Sequence, residues 1–228
     1  MMGLVTTQST IVFDLDGTLA DSIHDLVAAL NRTIERRGLA PFNPSDIAYL
    51  TGHGGLRAMI KHAFALSGCH LEQSKLEELF AETVEDYDRN IAVDTVLYPG
   101  IRGSLEAFQV NGWLLAVCTN KPIKQATKLL DELNIAPHFV AVTGVDSFEF
   151  KKPDPRHLTR TIELAGGRTD LAVMVGDTIT DILAAQNAGI PVVAVDFGYS
   201  DVHVKTLAPD RVISSFDDLY SEATSLII

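Results

Sequence analysis

The stretch Thr10-Ile11-Val12-Phe13-Asp14-Leu15-Asp16-Gly17-Thr18-Leu19 decides how this chain is read. Its first four residues form a short, β-prone, largely apolar run that stops at Asp14, the pattern of a buried strand in a parallel sheet. In extended backbone, residues i and i+2 point to the same side, so Asp14 and Asp16 face one spot beyond the strand. Ligands of open α/β sheets bind outside the carboxyl ends of the strands, where this pair would lie. Asp-Gly is also an ordinary turn dipeptide, so the pair needs support from elsewhere in the chain.

Strands of the same kind return only much later, at Trp113–Cys118, Phe139–Val142, Leu171–Val175 and Pro191–Val195, with Arg211–Ile213 as a weaker sixth. Segments of helical pattern separate them, and strand alternating with helix predicts an α/β, Rossmann-like three-layer parallel sheet core. Between Leu19 and Leu97 the pattern changes. Ile23–Arg37, Leu56–Leu66 and Leu71–Tyr87 carry apolar residues three and four apart and no convincing strand. Parallel strands are usually joined by one crossover helix and short loops, so this segment predicts an inserted all-helical cap domain. The expected division is 1–18 and 98–228 for the core and 19–97 for the cap. Tyr98-Pro99-Gly100 marks re-entry and Ala20-Asp21-Ser22 the exit, two crossings that would serve as a hinge.

Composition narrows the function classes. With 30 acidic against 18 basic residues and a net charge of −12, no basic stripe offers nucleic acid or an anionic membrane surface a footing. A small polar substrate fits better, and a homodimer is compatible with everything above. Two cysteines, Cys69 and Cys118, make no disulfide framework, and Cys118 reads as packing at the end of an apolar run. Met1–Thr10 lacks the basic and apolar segments of a signal peptide, and no run is long enough to span a membrane. The expected location is cytoplasmic.

Further polar motifs follow three later strands. Thr119-Asn120-Lys121-Pro122 puts a hydroxyl and an amide ahead of a helix with proline in its first turn, where free N–H groups attract anions. Lys151-Lys152-Pro153-Asp154-Pro155 places two cations before a proline-stiffened turn. Gly176-Asp177-Thr178-Ile179-Thr180-Asp181 offers two carboxylates four apart, as a metal site or a helix cap would. Packing does not require four such motifs at successive strand ends; a shared site does.

Together Asp14-x-Asp16-Gly17-Thr18, Thr119, Lys152-Pro153 and Gly176-Asp177 through Asp181 resemble, in order, the four motifs of the haloacid dehalogenase superfamily. The helical insertion resembles the cap of its phosphatase branch, and Thr119-Asn120-Lys121-Pro122 is similar to bacterial phosphoglycolate phosphatases. The resemblance implies hydrolysis of a small phosphate ester, with Asp14 as nucleophile forming an aspartyl phosphate. It implies Asp16 as the acid that protonates the leaving group and then the base that activates water. Thr18 resembles the family's threonine that hydrogen-bonds Asp16.

The chemistry of these residues is consistent with that role. A carboxylate attacking a phosphate dianion needs counter-charge. Mg2+ suits hard oxygen ligands, with Asp14, the backbone carbonyl of Asp16 and Asp177 as candidate ligands and Asp181 in support. Lys152 would screen the phosphoryl oxygens, and Thr119 and Asn120 would bind them. In the cap, Thr51-Gly52-His53-Gly54-Gly55 and Arg57 are the candidate substrate contacts, with the N–H groups of Gly54 and Gly55, His53 and Arg57 directed at a leaving-group carboxylate. The substrate expected from the resemblance is 2-phosphoglycolate. Another small phosphate ester remains an alternative, as does a β-phosphoglucomutase-like transfer, although a mutase would typically carry Glu-Asp near Gly176-Asp177. A non-enzymatic phosphometabolite sensor is the alternative from another class.

Overall fold

The computed structural model of the chain describes residues 8–227. The expectation for Met1–Thr10 falls for the most part outside them. β1 (Thr10–Phe13), β4 (Leu114–Cys118), β5 (Ala141–Thr143), β6 (Ala172–Gly176), β7 (Val192–Val195) and β8 (Arg211–Ile213) form one parallel sheet in the order β5-β4-β1-β6-β7-β8. The first strand is central because the chain fills positions on one side of it before crossing to the other, which leaves a crevice at the carboxyl ends of β4, β1 and β6.

Alternation sorts the strand side chains into two cores. Ile11, Phe13, Leu115, Val117, Val173 and Val175 pack on one face with α5 (Ile101–Val110), α6 (Ile123–Glu132) and α9 (Leu219–Thr224). Val12, Ala116, Cys118 and Met174 pack on the other with α7 (Pro155–Leu164) and α8 (Ile179–Ala188). Buried on both faces, the strands have no polar side to show in the sequence, and the result is the expected three-layer α/β core.

Between β1 and α5 lie α1 (Ile23–Glu35), the single turn α2 (Pro44–Ile47), α3 (Gly55–Leu66) and α4 (Gln73–Arg89). A separate apolar cluster holds them together, with Val27, Leu30, Ile34, Met59, Ile60, Leu76 and Leu79 at its centre. The segment is not wholly helical. β2 (Ala20–Asp21) pairs antiparallel with β3 (Val96–Leu97), so the two chain crossings are hydrogen-bonded to each other. Two-residue strands carry no periodicity, and the ribbon gave no signal in the sequence. Asp25 on α1 supports it from beneath: its buried carboxylate accepts from the backbone N–H groups of Val93, Asp94 and Thr95 and from the Thr95 hydroxyl. Among the described residues no helix is long and apolar enough to cross a membrane.

Candidate active site

Because β4, β1 and β6 are neighbours in register, the residues that follow them meet. Asp14 follows β1, Thr119 follows β4 and Asp177 follows β6, while Lys152 reaches in from the loop between β5 and α7. The Lys152 ammonium is 2.9 Å from Asp14 Oδ1 and 2.5 Å from Asp181 Oδ1, with its side chain only 1% exposed. The approach to Asp14 is off the hydrogen-bonding line, so Asp14 Oδ1 is buried without a hydrogen-bond partner. Burial lowers the tendency of Lys152 to stay charged, but the Asp14 and Asp181 carboxylates outweigh it and hold the ammonium above its ordinary pKa.

Asp14, Asp177 and Asp181 each offer a carboxylate oxygen within 4.8 Å of the others, and all three are buried. Burial, then Asp181, push Asp14 up to about 6 against the pull of Lys152; burial, Asp181 and Asp14 raise Asp177 well above the usual carboxylate range. Three crowded hard oxygen donors, one lacking a partner, with a single ammonium in contact, are a donor set that fits a divalent cation such as Mg2+. Space around Asp177 is reserved by glycines: a Cβ on Gly17, whose φ is +83°, or on Gly198 would collide with its carboxylate. Asp181 also closes α8, its Oδ2 accepting from the Thr178 N–H at 3.0 Å and the Thr178 hydroxyl at 2.7 Å.

Two core residues depart from expectation. Thr18 donates its hydroxyl to Asp177 Oδ1 at 2.9 Å, not to Asp16, and is fully buried beneath the cavity, so it touches the acidic cluster and not a substrate. The turn through Gly17 directs it down toward β6, and sequence spacing alone cannot show that. Asn120 donates to the Lys152 carbonyl at 3.0 Å and ties two loops together, although it still lines the cavity. Thr119 is buried and accepts from the Lys121 N–H at 3.1 Å. Pro122 stands at the cap of α6 and not in its first turn, and the Ile123 N–H is already taken by Asp146 at 2.8 Å.

Asp16 lines the same cavity as Asp14 and Lys152. Its carboxylate accepts from Lys121 Nζ at 2.9 and 3.2 Å and from the Ser22 hydroxyl. Lys121 also donates to the Tyr87 hydroxyl on α4 at 2.9 Å, joining the sheet side of the site to the helical side. Burial works against the Lys121 charge, yet Asp16 and Tyr87 keep its pKa above the ordinary value. Sequence alone gives Lys121 no role; its one local signal is a lysine between a motif threonine and a proline.

A cleft of about 370 Å³ lies between the strand ends and α3 and α4. Gly54, Gly55 and Arg57 line it, together with Phe80, Val84 and Tyr87. Arg57 is nonetheless engaged, 2.9 Å from Glu77 and 3.5 Å above the Phe80 ring. His53 does not join the lining: it turns outward to Asp201, 3.0 Å away, because the turn before α3 separates it from the face that Arg57 occupies. Tyr199, given no role from the sequence, connects the acidic cluster to the crossings. Its N–H donates to Asp177 Oδ2 at 2.7 Å, and its hydroxyl accepts from Ser22 and Ile23 N–H and donates to Asp21. Cys118 is buried packing, its thiol pushed up to about 11 by burial.

The chain is similar to several known proteins. A phosphoglycolate phosphatase of Mesorhizobium japonicum is 44% identical over 218 residues, covering 96% of both chains. One of Agrobacterium fabrum is 46% identical over 205 residues, covering 90% of this chain and 88% of its own. The crystal structure of a predicted phosphoglycolate phosphatase from Haemophilus somnus 129pt superposes with a TM-score of 0.88 at 28% identity, covering 95% of this chain and 98% of that one. The model of the haloacid dehalogenase-like hydrolases matches residues 11–195, from β1 to the end of β7. With the four strand-end motifs gathered at one crevice and the match running through all of them, the chain belongs to the haloacid dehalogenase-like hydrolase family.

Proposed function

We propose that this protein is a Mg2+-dependent phosphatase that converts 2-phosphoglycolate to glycolate and phosphate. The observation that carries this is the pairing of a buried Asp14, flanked by Asp177, Asp181 and Lys152, with a second carboxylate, Asp16, on the cavity side. The identities to two phosphoglycolate phosphatases support the substrate. Asp14, Asp177 and the Asp16 backbone would hold Mg2+, with Asp181 keeping Lys152 in place. When bound, the ion supplies positive charge that offsets the phosphate dianion.

The residues of the chain then divide the work. An Asp14 carboxylate oxygen attacks phosphorus as the bond to the ester oxygen breaks, and Asp16 gives that oxygen its proton, releasing glycolate. Asp16, now a carboxylate, takes a proton from the water that attacks phosphorus, and the bond to Asp14 breaks to free inorganic phosphate. Lys152 and Thr119 stand where charge gathers on the transferred group. Segment 19–97 acts as a cap hinged at 20–22 and 98–100, and segments 1–18 and 98–228 as the core. Gly54, Gly55 and Arg57 form the cap side of the cavity.

The test compares phosphate release from 2-phosphoglycolate, ethyl phosphate and hexose phosphates, in wild type and Asp14→Asn. The expected result is preference for 2-phosphoglycolate and loss of turnover in Asp14→Asn. Faster turnover of hexose phosphates would reject the substrate, and normal turnover in Asp14→Asn would reject the covalent mechanism.

A further inference from the structure

Resting on the phosphoglycolate reading, the position of the leaving group's carboxylate can be narrowed. In this substrate the carboxylate is only two bonds from the ester oxygen, so its partner must stand next to the residue that meets that oxygen, Asp16. A second anion placed there faces Asp14, Asp177 and Asp181, and without a neighbouring cation it would be repelled. We propose that Lys121 is the specificity-determining residue of this site, its ammonium pairing with the carboxylate of the substrate's leaving group.

Two of the other cations at the cavity are committed elsewhere, and the third, Lys151, is exposed. Lys152 is held between two carboxylates at 2.9 and 2.5 Å. Arg57 is about half exposed, paired with Glu77 and stacked on Phe80. Lys151 is exposed at the cavity's rim. Lys121 is different: its side chain is 5% exposed, it lines the cavity, and its hydrogen-bond partners among the described residues are the Asp16 carboxylate and the neutral Tyr87 hydroxyl. The three N–H donors of the ammonium run to the two Asp16 oxygens at 2.9 and 3.2 Å and to Tyr87 at 2.9 Å; the N–H of the longer Asp16 contact is the one that would turn to a second carboxylate, and in a buried site that charge-assisted bond is stronger than in water. Lys121 also touches both the strand-end side and α4, so an anion bound to it is held where the two sides meet. Gly54 and Gly55 complete the enclosure without adding charge.

The experiment measures kcat/KM for 2-phosphoglycolate and for ethyl phosphate, which lacks the acid, in wild type, Lys121→Met, Lys121→Arg and Arg57→Ala. The preference for 2-phosphoglycolate should fall about 10- to 100-fold in Lys121→Met, the range for losing a hydrogen bond between charged groups, and be partly kept in Lys121→Arg. If Lys121 only positions Asp16, both esters lose equally and the preference survives, which overturns the proposal. A larger loss of preference in Arg57→Ala than in Lys121→Met assigns the carboxylate to Arg57 and overturns it as well. Should Lys121→Met not fold, Lys121→Gln keeps a donor toward Asp16 without the charge and is read the same way. Calorimetric titration with glycolate supplies a measure independent of turnover: affinity should weaken with the loss of the charge, and unchanged affinity contradicts the pairing. A wild type with no preference for 2-phosphoglycolate would instead defeat the phosphoglycolate reading, and this proposal with it.

Discussion

Lys152 and Lys151 are adjacent in sequence and opposite in circumstance. Lys152 is enclosed by Asp14 and Asp181, whereas Lys151 is exposed. Removing the buried cation leaves two carboxylates unpaired, and breaking a buried pair in this way costs about 3–5 kcal/mol. That cost falls on stability; because Lys152 also meets the charge that gathers on the transferred group, Lys152→Ala should lose at least about 100-fold in kcat, while Lys151→Ala should change by only a few-fold, as surface substitutions do. Equal losses would mean that the wrong lysine has been placed in the site. Behind Lys152, His157 accepts from its backbone N–H through Nδ1 at 3.2 Å, and burial together with the Lys152 charge lowers its pKa from 6.5 to about 4. A histidine held neutral in the fold takes up its proton more readily when unfolded. Its contribution is thus intact above pH 6.5 and lost as pH falls toward 4, by up to about 3 kcal/mol. Asp14, raised to about 6, acts in the opposite sense over the same window, so the informative quantity is a difference. His157→Asn keeps an acceptor near Nδ1 without a titrating ring, and its urea midpoint should fall less than that of wild type between pH 7 and 4.5. Parallel falls would show that His157 is not held neutral.

At the scale of elements, what could be read depended on sequence distance. The sheet strands were recognisable within about two residues because the central ones are largely apolar runs, with Arg211–Ile213 weaker for its exposed arginine, and α1, α3 and α4 because their apolar stripes recur at helical spacing. The motifs at the strand ends were legible for the same reason: each is a short local pattern attached to a strand. The β2–β3 ribbon and the Tyr199 bridge were not, since their partners are remote in sequence and nothing local marks them. Their energetics are testable. Tyr199→Phe keeps the N–H bond to Asp177 and the ring's place in the helical cluster but loses the hydroxyl that Ser22, Ile23 and Asp21 share. Leaving those buried N–H groups without an acceptor should cost about 1–3 kcal/mol. Chemical denaturation should show this as a lower midpoint at an unchanged slope, with faster amide exchange at Ser22 and Ile23. An unaltered midpoint and unaltered exchange would remove Tyr199 as the tie between crossings and sheet.

The molecule as a whole carries a net charge of −12 and buries three carboxylates against one another, so part of its folding free energy is spent on repulsion that a cation relieves. Sequence revealed the donors but not this balance, because which carboxylate meets Lys152, Lys121 or Thr18 is fixed only when the loops pack. A ligand that binds the folded state alone stabilises it by about 2.7 kcal/mol when present at 100 times its dissociation constant. For a chain of this length each kcal/mol raises the melting temperature by roughly 2–4 °C. Saturating Mg2+ should therefore raise the melting temperature of chelator-treated protein by about 5–10 °C and restore its activity over the same concentration range. Asp177→Asn should melt at least as high as wild type without Mg2+, since one buried charge is gone, and should respond little to added ion. Activity that persists after exhaustive chelation, or a melting temperature that ignores Mg2+ in wild type, would separate the acidic cluster from metal binding and return it to a purely structural part of the fold.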